Sequence, residues 1–137
     1  MRIAHISDVH IRKTRRHKEY AEVLDNLCNS IESLDVDRIA LPGDLLHNKT
    51  DLSPEAVTLT SLYLDRLSDI APIDMILGNH DCVINQHERE DSLSPVVRML
   101  RKQNKPINLF LESGMYDVTE NLTYGVFAQQ DTVHQWP

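Results

Sequence analysis

No run of about 18 consecutive apolar residues occurs in the 137-residue chain, so no stretch of it reads as a membrane-spanning helix. A signal peptide is lacking too, because Met1 leads within a few residues into a strand-like segment that carries charge. Cysteine is scarce: Cys28 and Cys82 lie far apart, without zinc-type spacing or the density of a disulfide scaffold, and are expected as reduced thiols. Positive charge is short as well. Fourteen Lys and Arg against 21 Asp and Glu leave a net charge of −7, which argues against a generally basic nucleic-acid binder. Carboxylates that hold cations inflate that figure without repelling phosphate once metals are bound, so charge leaves the substrate open. These absences predict a soluble protein with no membrane contact, cytoplasmic in a bacterium or, for a phage- or virus-encoded chain, in the host cytoplasm.

What is present is a repeated strand-loop-helix pattern. A hydrophobic content of 41% in 137 residues is enough for the core of one domain. Ile3, Ala4 and Ile6 mark a buried strand within Arg2 to Ser7, followed by a polar, basic loop from Asp8 to Lys18. Tyr20, Val23, Leu24, Leu27, Ile31 and Leu34 recur at spacings of three and four, predicting a helix that ends near Asp35. Arg38 to Leu41 reads as the second strand, Pro42 to Asp51 as its loop, and Ser53-Pro54 as the start of a helix whose buried stripe is Leu59, Tyr63, Leu67 and Ile70. Ile73 to Leu77 is the third strand and Gly78 to Glu90 the third loop. A shorter helix starting at Ser94-Pro95 then carries Val96, Val97 and Leu100. Beyond Lys105 come short strand candidates at Ile107 to Leu111, Met115 to Val118 and Leu122 to Ala128. The expectation is an α/β fold, βαβαβα then short strands. Its sheet is largely parallel, with all three polar loops at the carboxyl ends of strands, where such sheets bind ligands. No linker, repeat or low-complexity segment interrupts it, and the halt at Trp136-Pro137 reads like a cut.

Each loop carries candidate chemistry. Asp8 and His10 lie two apart, so that an extended segment would aim both side chains at one cation. Gly43-Asp44 follows the second strand directly, where glycine permits a sharp turn and the carboxylate can bridge two ions, with His47 and Asn48 close behind. Gly78-Asn79-His80-Asp81 supplies an amide oxygen as a neutral ligand, an imidazole as proton donor and a carboxylate to orient that imidazole. Taken singly, each is better explained as a turn or cap residue, or as a histidine that is merely partly exposed. Three successive strands ending in oxygen and imidazole donors on one edge are better explained by a metal site. Donors of this kind fit manganese, iron or zinc, with manganese favoured by the oxygen-rich set. Two ions about 3.5–4 Å apart would clamp a phosphate and activate the attacking water.

Asp8-Val9-His10, Gly43-Asp44-Leu45-Leu46-His47 and Gly78-Asn79-His80-Asp81 resemble the first three motifs of the calcineurin-like metallophosphoesterases. The histidine ending the second motif and the aspartate ending the third resemble the SbcD-like DNA repair exonucleases, including phage recombination endonuclease subunits. The serine/threonine phosphatases instead have Asp-Arg-Gly beyond the second motif and Glu closing the third. The resemblance implies a metallophosphoesterase-type α/β sandwich, of which this chain is the N-terminal part of a single domain (1–137), truncated after its first half. By the same resemblance Asp8 and His10 are ligands of a first metal, Asp44 bridges, and Asn79 binds a second. His80 contacts the scissile phosphate and protonates the leaving oxygen, while His47 places the nucleotide. The implied activity is phosphodiester hydrolysis by a DNA exonuclease or endonuclease subunit acting in repair or recombination. The implied cofactors are two divalent ions, manganese first among them. DNA and an ATPase of the SbcC or Rad50-like coiled-coil type are the implied partners, and a homodimer is compatible.

The family continues with a His-Gly and a Gly-x-His motif that supply three further ligand histidines, and neither is found here. His87 and His134 match neither pattern and read as ordinary polar residues. The first ion thus keeps Asp8, His10 and Asp44 and the second only Asp44 and Asn79, which predicts weak or single-metal occupancy in this chain alone. The basic run Arg12, Lys13, Arg15, Arg16 and Lys18 follows the first ligand pair and is a candidate for DNA-backbone contact, a solvated loop being the equal alternative. Arg98, Arg101, Lys102 and Lys105 sit near a helix C-terminus, where the dipole favours cations anyway. Two other functions stay open: a calcineurin-like phosphatase or phosphodiesterase for a small nucleotide or phosphoprotein, and an incomplete, non-catalytic binding module.

Overall fold

The computed structural model describes residues 1–84, 86 and 88–131; His87, His134 and the Trp136-Pro137 end fall outside them. Four strands, β1 (Ile3–His5), β2 (Arg38–Leu41), β3 (Ile73–Ile76) and β4 (Ile107–Phe110), form a parallel sheet in the order β1-β2-β3-β4. Helices α1 (His17–Ser33), α2 (Pro54–Ile70) and α3 (Ser94–Lys102) make the crossovers. A hairpin of β5 (Gly114–Thr119) and β6 (Leu122–Val126) follows.

Register explains the core. Ile39 pairs with Ile73 and Ile73 with Ile107, so these three line up across the sheet, with Leu41, Met75 and Leu109 two residues on. Together with Leu24, Cys28 and Ile31 of α1, Tyr63, Leu64 and Leu67 of α2, and Val97 and Leu100 of α3 they form one buried apolar cluster. The alternate strand positions, Ala40, Asp74 and Phe110, line a cleft on the opposite face together with Tyr124 and Val126 of β6. Phe110 packs its ring 4.5 Å from that of Tyr116, which carries the hairpin onto this face.

The α2 start is as its sequence predicts: Ser53 is the N-cap, its hydroxyl accepting from the Ala56 N–H at 3.1 Å, with Pro54 in the first turn. α3 begins at Ser94 with Pro95 in its first turn, as expected, and is capped by an upstream carboxylate. Ser94 lies inside the helix, and Asp91 Oδ1 accepts from the N–H groups of Leu93 and Ser94 at 2.8 and 2.7 Å. Two expectations need correction. Val23 and Leu34 are exposed, and Cys28 takes the buried place on α1, because a stripe narrow enough for one sheet face holds only Leu24, Cys28, Ile31 and their half-buried flanks. β1 is half-buried rather than buried, being an edge strand. The strand candidate at Ile107 to Leu111 is borne out as β4, the fourth parallel strand, since α3 is long enough to return the chain beside β3.

Candidate metal centre

The first two loops extend the parallel ladder past the ends of β1 and β2. Ile6 N–H donates to Ala40 O at 3.0 Å, Asp8 to Gly43 at 3.3 Å, His10 to Asp44 at 3.0 Å and Ile11 to Leu45 at 2.9 Å, and His47 N–H donates to Ile11 O at 3.0 Å. Ile11 and Leu46 form a parallel bridge and are wholly buried, anchoring both loops in the core. The main chain alone therefore aligns these segments, and their polar side chains stay available for chemistry.

Asp8 and His10 do converge, but not by strand alternation. Both are left-handed, with φ of 57° and 52°, and Asp44 is also left-handed at 54°. Non-glycine residues avoid this region, and strain of this kind is held where the surroundings impose it, commonly at functional sites. Gly43, at φ 107°, approaches the third loop so closely that a Cβ there would lie 2.7 Å from Gly78 Cα. A Cβ on Gly78 would in turn overlap the carboxylate and amide of Asp44. Two bare glycines thus let the second and third loops touch and leave room for the Asp44 carboxylate, whose Oδ1 accepts from the His80 N–H at 2.8 Å.

Asp81 has another task than the expected one of orienting His80. Its carboxylate is fully buried and accepts from Leu46 N–H and Gly78 N–H, each at 2.9 Å, joining the second and third loops from beneath. Burial pushes its carboxyl above the usual range, against the opposing pull of those amide donors. His80 is oriented instead by the carbonyl of His47, 2.8 Å from Nδ1. A carbonyl only accepts, so Nδ1 carries the proton and Nε2 is left for chemistry.

The donor atoms cluster in two overlapping groups. Asp8, His10 and Asp44 offer ligand atoms within 4.8 Å of one another, and so do His10, His47 and His80. The three imidazole rings lie 4.8 to 5.5 Å apart. His10 Nδ1 and His47 Nδ1 are buried with no hydrogen-bond partner among the described residues, a state that a bound cation would relieve. Burial, followed by the charge of Arg12 and the neighbouring imidazoles, holds His47 below the usual histidine value. The arrangement fits a divalent cation bound by mixed oxygen and nitrogen donors. Asn79 is exposed, next to His80 in the chain.

The basic run divides. Lys13 is neutralised by Asp51, with its Nζ 2.6 and 2.7 Å from the two carboxylate oxygens, whereas Arg12, Arg15 and Arg16 line a hollow with Tyr20. Tyr20 was legible only as a core residue; it is half-buried, and its hydroxyl donates to the His10 carbonyl at 2.7 Å. A tyrosine near a helix start, facing a ligand loop, was the available signal.

The model of the calcineurin-like phosphoesterases matches residues 1–135. The chain belongs to that family. As a calcineurin-like phosphoesterase it is similar to an uncharacterized protein of Acanthamoeba polyphaga mimivirus, 41% identical over 128 residues, or 90% of this chain and 9% of the viral protein. It is also similar to the SbcD component of the SbcCD nuclease of Bacillus subtilis (strain 168), 37% identical over 89 residues, or 59% of this chain and 22% of that component. The chain thus spans under a tenth of one relative and under a quarter of the other. Calcineurin-like phosphoesterases are metal-dependent phosphoester hydrolases, in keeping with the ligand groups found here. Among the described residues no helix is long and apolar enough to cross a membrane.

Proposed function

We propose that residues 1–137 form the N-terminal part of a single phosphoesterase domain and supply the first half of a two-metal site that hydrolyses phosphodiesters in DNA. The observation that carries the reading is the meeting of Asp8, His10 and Asp44 within 4.8 Å, each on a left-handed backbone residue. Asp8 and His10 would hold a first ion, Asp44 would serve both ions, and Asn79 would contribute to a second. Bound divalent ions, manganese first among the candidates, supply charge for the phosphoryl oxygens and acidify the attacking water. His80, with Nδ1–H fixed on the His47 carbonyl, presents Nε2 to the scissile phosphate; in the imidazolium form Nε2–H would give its proton to the leaving oxygen and return the ring to the neutral Nδ1–H tautomer. His47, pushed below the usual histidine value by burial and the Arg12 charge, is suited to positioning the nucleotide by hydrogen bonding.

DNA is favoured over small phosphomonoesters by the arginines beside the site and by the similarity to a nuclease component. A repair or recombination role, and a coiled-coil ATPase partner of the SbcC type, are what the motif resemblance implies for the intact protein. Manganese-dependent cleavage of linear and hairpin DNA by a version extended through any downstream reading frame, absent from residues 1–137 alone and abolished by His80→Ala, is the expected result. Hydrolysis of p-nitrophenyl phosphate without DNA cleavage would shift the reading to a small-molecule phosphatase. Metal binding without hydrolysis of either substrate would leave a non-catalytic module.

A further inference from the structure

Beside the ligand cluster lies a hollow of about 270 Å³ lined by Arg12, Arg15, Arg16 and Tyr20. We propose that this hollow is a second phosphate subsite, which takes a neighbouring phosphate of the same nucleic-acid strand whose phosphodiester is held at the metal centre. The inference deepens the nuclease reading above and rests on it.

Four features carry it. Three guanidinium groups around one small space repel one another unless an anion sits between them, and each offers a planar fork suited to phosphate oxygens. The only ion pair at these arginines among the described residues joins Arg16 to Glu19 at 3.6 Å, on the exposed surface, where such a pair is weak. The neighbouring Lys13, already paired with Asp51, contributes little charge to the hollow. The volume falls below the ~300–1,000 Å³ typical of pockets for drug-sized ligands, so the hollow suits a phosphate group rather than a whole nucleotide.

The hollow is also tied to the chemistry. Tyr20, one of its walls, holds the His10 carbonyl through its hydroxyl, and Arg12 follows His10 by two residues. Arg16 is the N-cap of α1, in left-handed conformation and with no side-chain cap on the helix, so first-turn amides add positive potential at the same wall. A strand lying with one phosphate at the ligand cluster and the next in the hollow would be gripped at two points. A phosphomonoester would meet only one, so the hollow selects for a polynucleotide.

The test is fluorescence anisotropy of a labelled single-stranded thymidylate 12-mer carrying cleavage-resistant phosphorothioate linkages, in manganese, over a salt series. Arg12→Gln, Arg15→Gln and Arg16→Gln are each expected to weaken binding roughly tenfold, the loss expected for a hydrogen-bonded charge contact, and to flatten the salt dependence. Arg15→Lys, which keeps the charge and loses the fork, should fall between wild type and Arg15→Gln. Lys102→Gln removes the same charge from the α3 surface and should bind like wild type. Equal losses in the arginine variants and in Lys102→Gln would reduce the effect to net charge and overturn the proposal. Manganese calorimetry on the same preparation reports the metal site separately. Arginine variants that bind DNA normally while manganese still binds overturn the hollow alone, and a chain that binds no manganese overturns the nuclease reading beneath it.

Discussion

Asp81→Asn separates a structural carboxylate from a catalytic one. In the folded chain the two Asp81 oxygens accept from Leu46 N–H and Gly78 N–H, both at 2.9 Å, in a fully buried position. Asparagine has one acceptor oxygen, so one of those main-chain donors would face the NH2 group instead. A hydrogen bond to a charged group contributes about 1.5–3 kcal/mol, and a buried donor left unpaired costs about 1–3 kcal/mol. Removing a buried charge offsets part of that loss, as the raised Asp81 carboxyl indicates. The net destabilisation is about 2 kcal/mol, which at this chain length lowers the melting midpoint by roughly 6–10 °C. Thermal denaturation followed by circular dichroism measures it. Manganese binding should weaken too, because the same carboxylate joins the loops that carry Asp44 and His80. An unchanged midpoint, with catalysis lost all the same, would refute the clamp and return Asp81 to the role of orienting His80.

Gly78→Ala should abolish manganese binding while the chain remains helical by circular dichroism, because its Cβ takes the space of the Asp44 carboxylate; retained binding would contradict that packing. Arg38 and Asp74 form a buried bidentate pair at 2.5 and 2.8 Å, so Arg38→Ala should destabilise the chain by about 3–5 kcal/mol in urea unfolding, since it strands a buried carboxylate. Burial pushes both Cys28 and Cys82 above the usual thiol value, so both should resist a disulfide reagent at pH 8 in the folded chain and react at once in guanidinium. Fast reaction of either thiol under native conditions would show that the core around it opens.

The alternation of strands and helices was legible because its signals are local. Apolar spacing located α1 and α2, and Ser53-Pro54 marked a helix start that the cap hydrogen bond bears out. The candidate ligands were legible as motifs at strand ends, and topology alone brings three such loops together. The reason for their convergence was not legible. Left-handed conformations at Asp8, His10 and Asp44 arise from the ladder between two loops distant in sequence, which no local pattern encodes. For the same reason the partner of Asp81 was misjudged. Adjacency in sequence suggested His80, whereas the buried side of the loop faces Leu46. The Arg38–Asp74 pair was likewise hidden, since a charged residue in a strand declares its partner only through sheet register.

The most direct measurement is a calorimetric titration of manganese into this chain and into Asp44→Ala. Binding of a single ion by the wild-type chain, lost in Asp44→Ala, is the predicted result, because Asp8, His10 and Asp44 form a donor set that no second cluster independent of His10 matches among the described residues. Two tight ions in the wild-type chain, or manganese binding that survives Asp44→Ala, would contradict it.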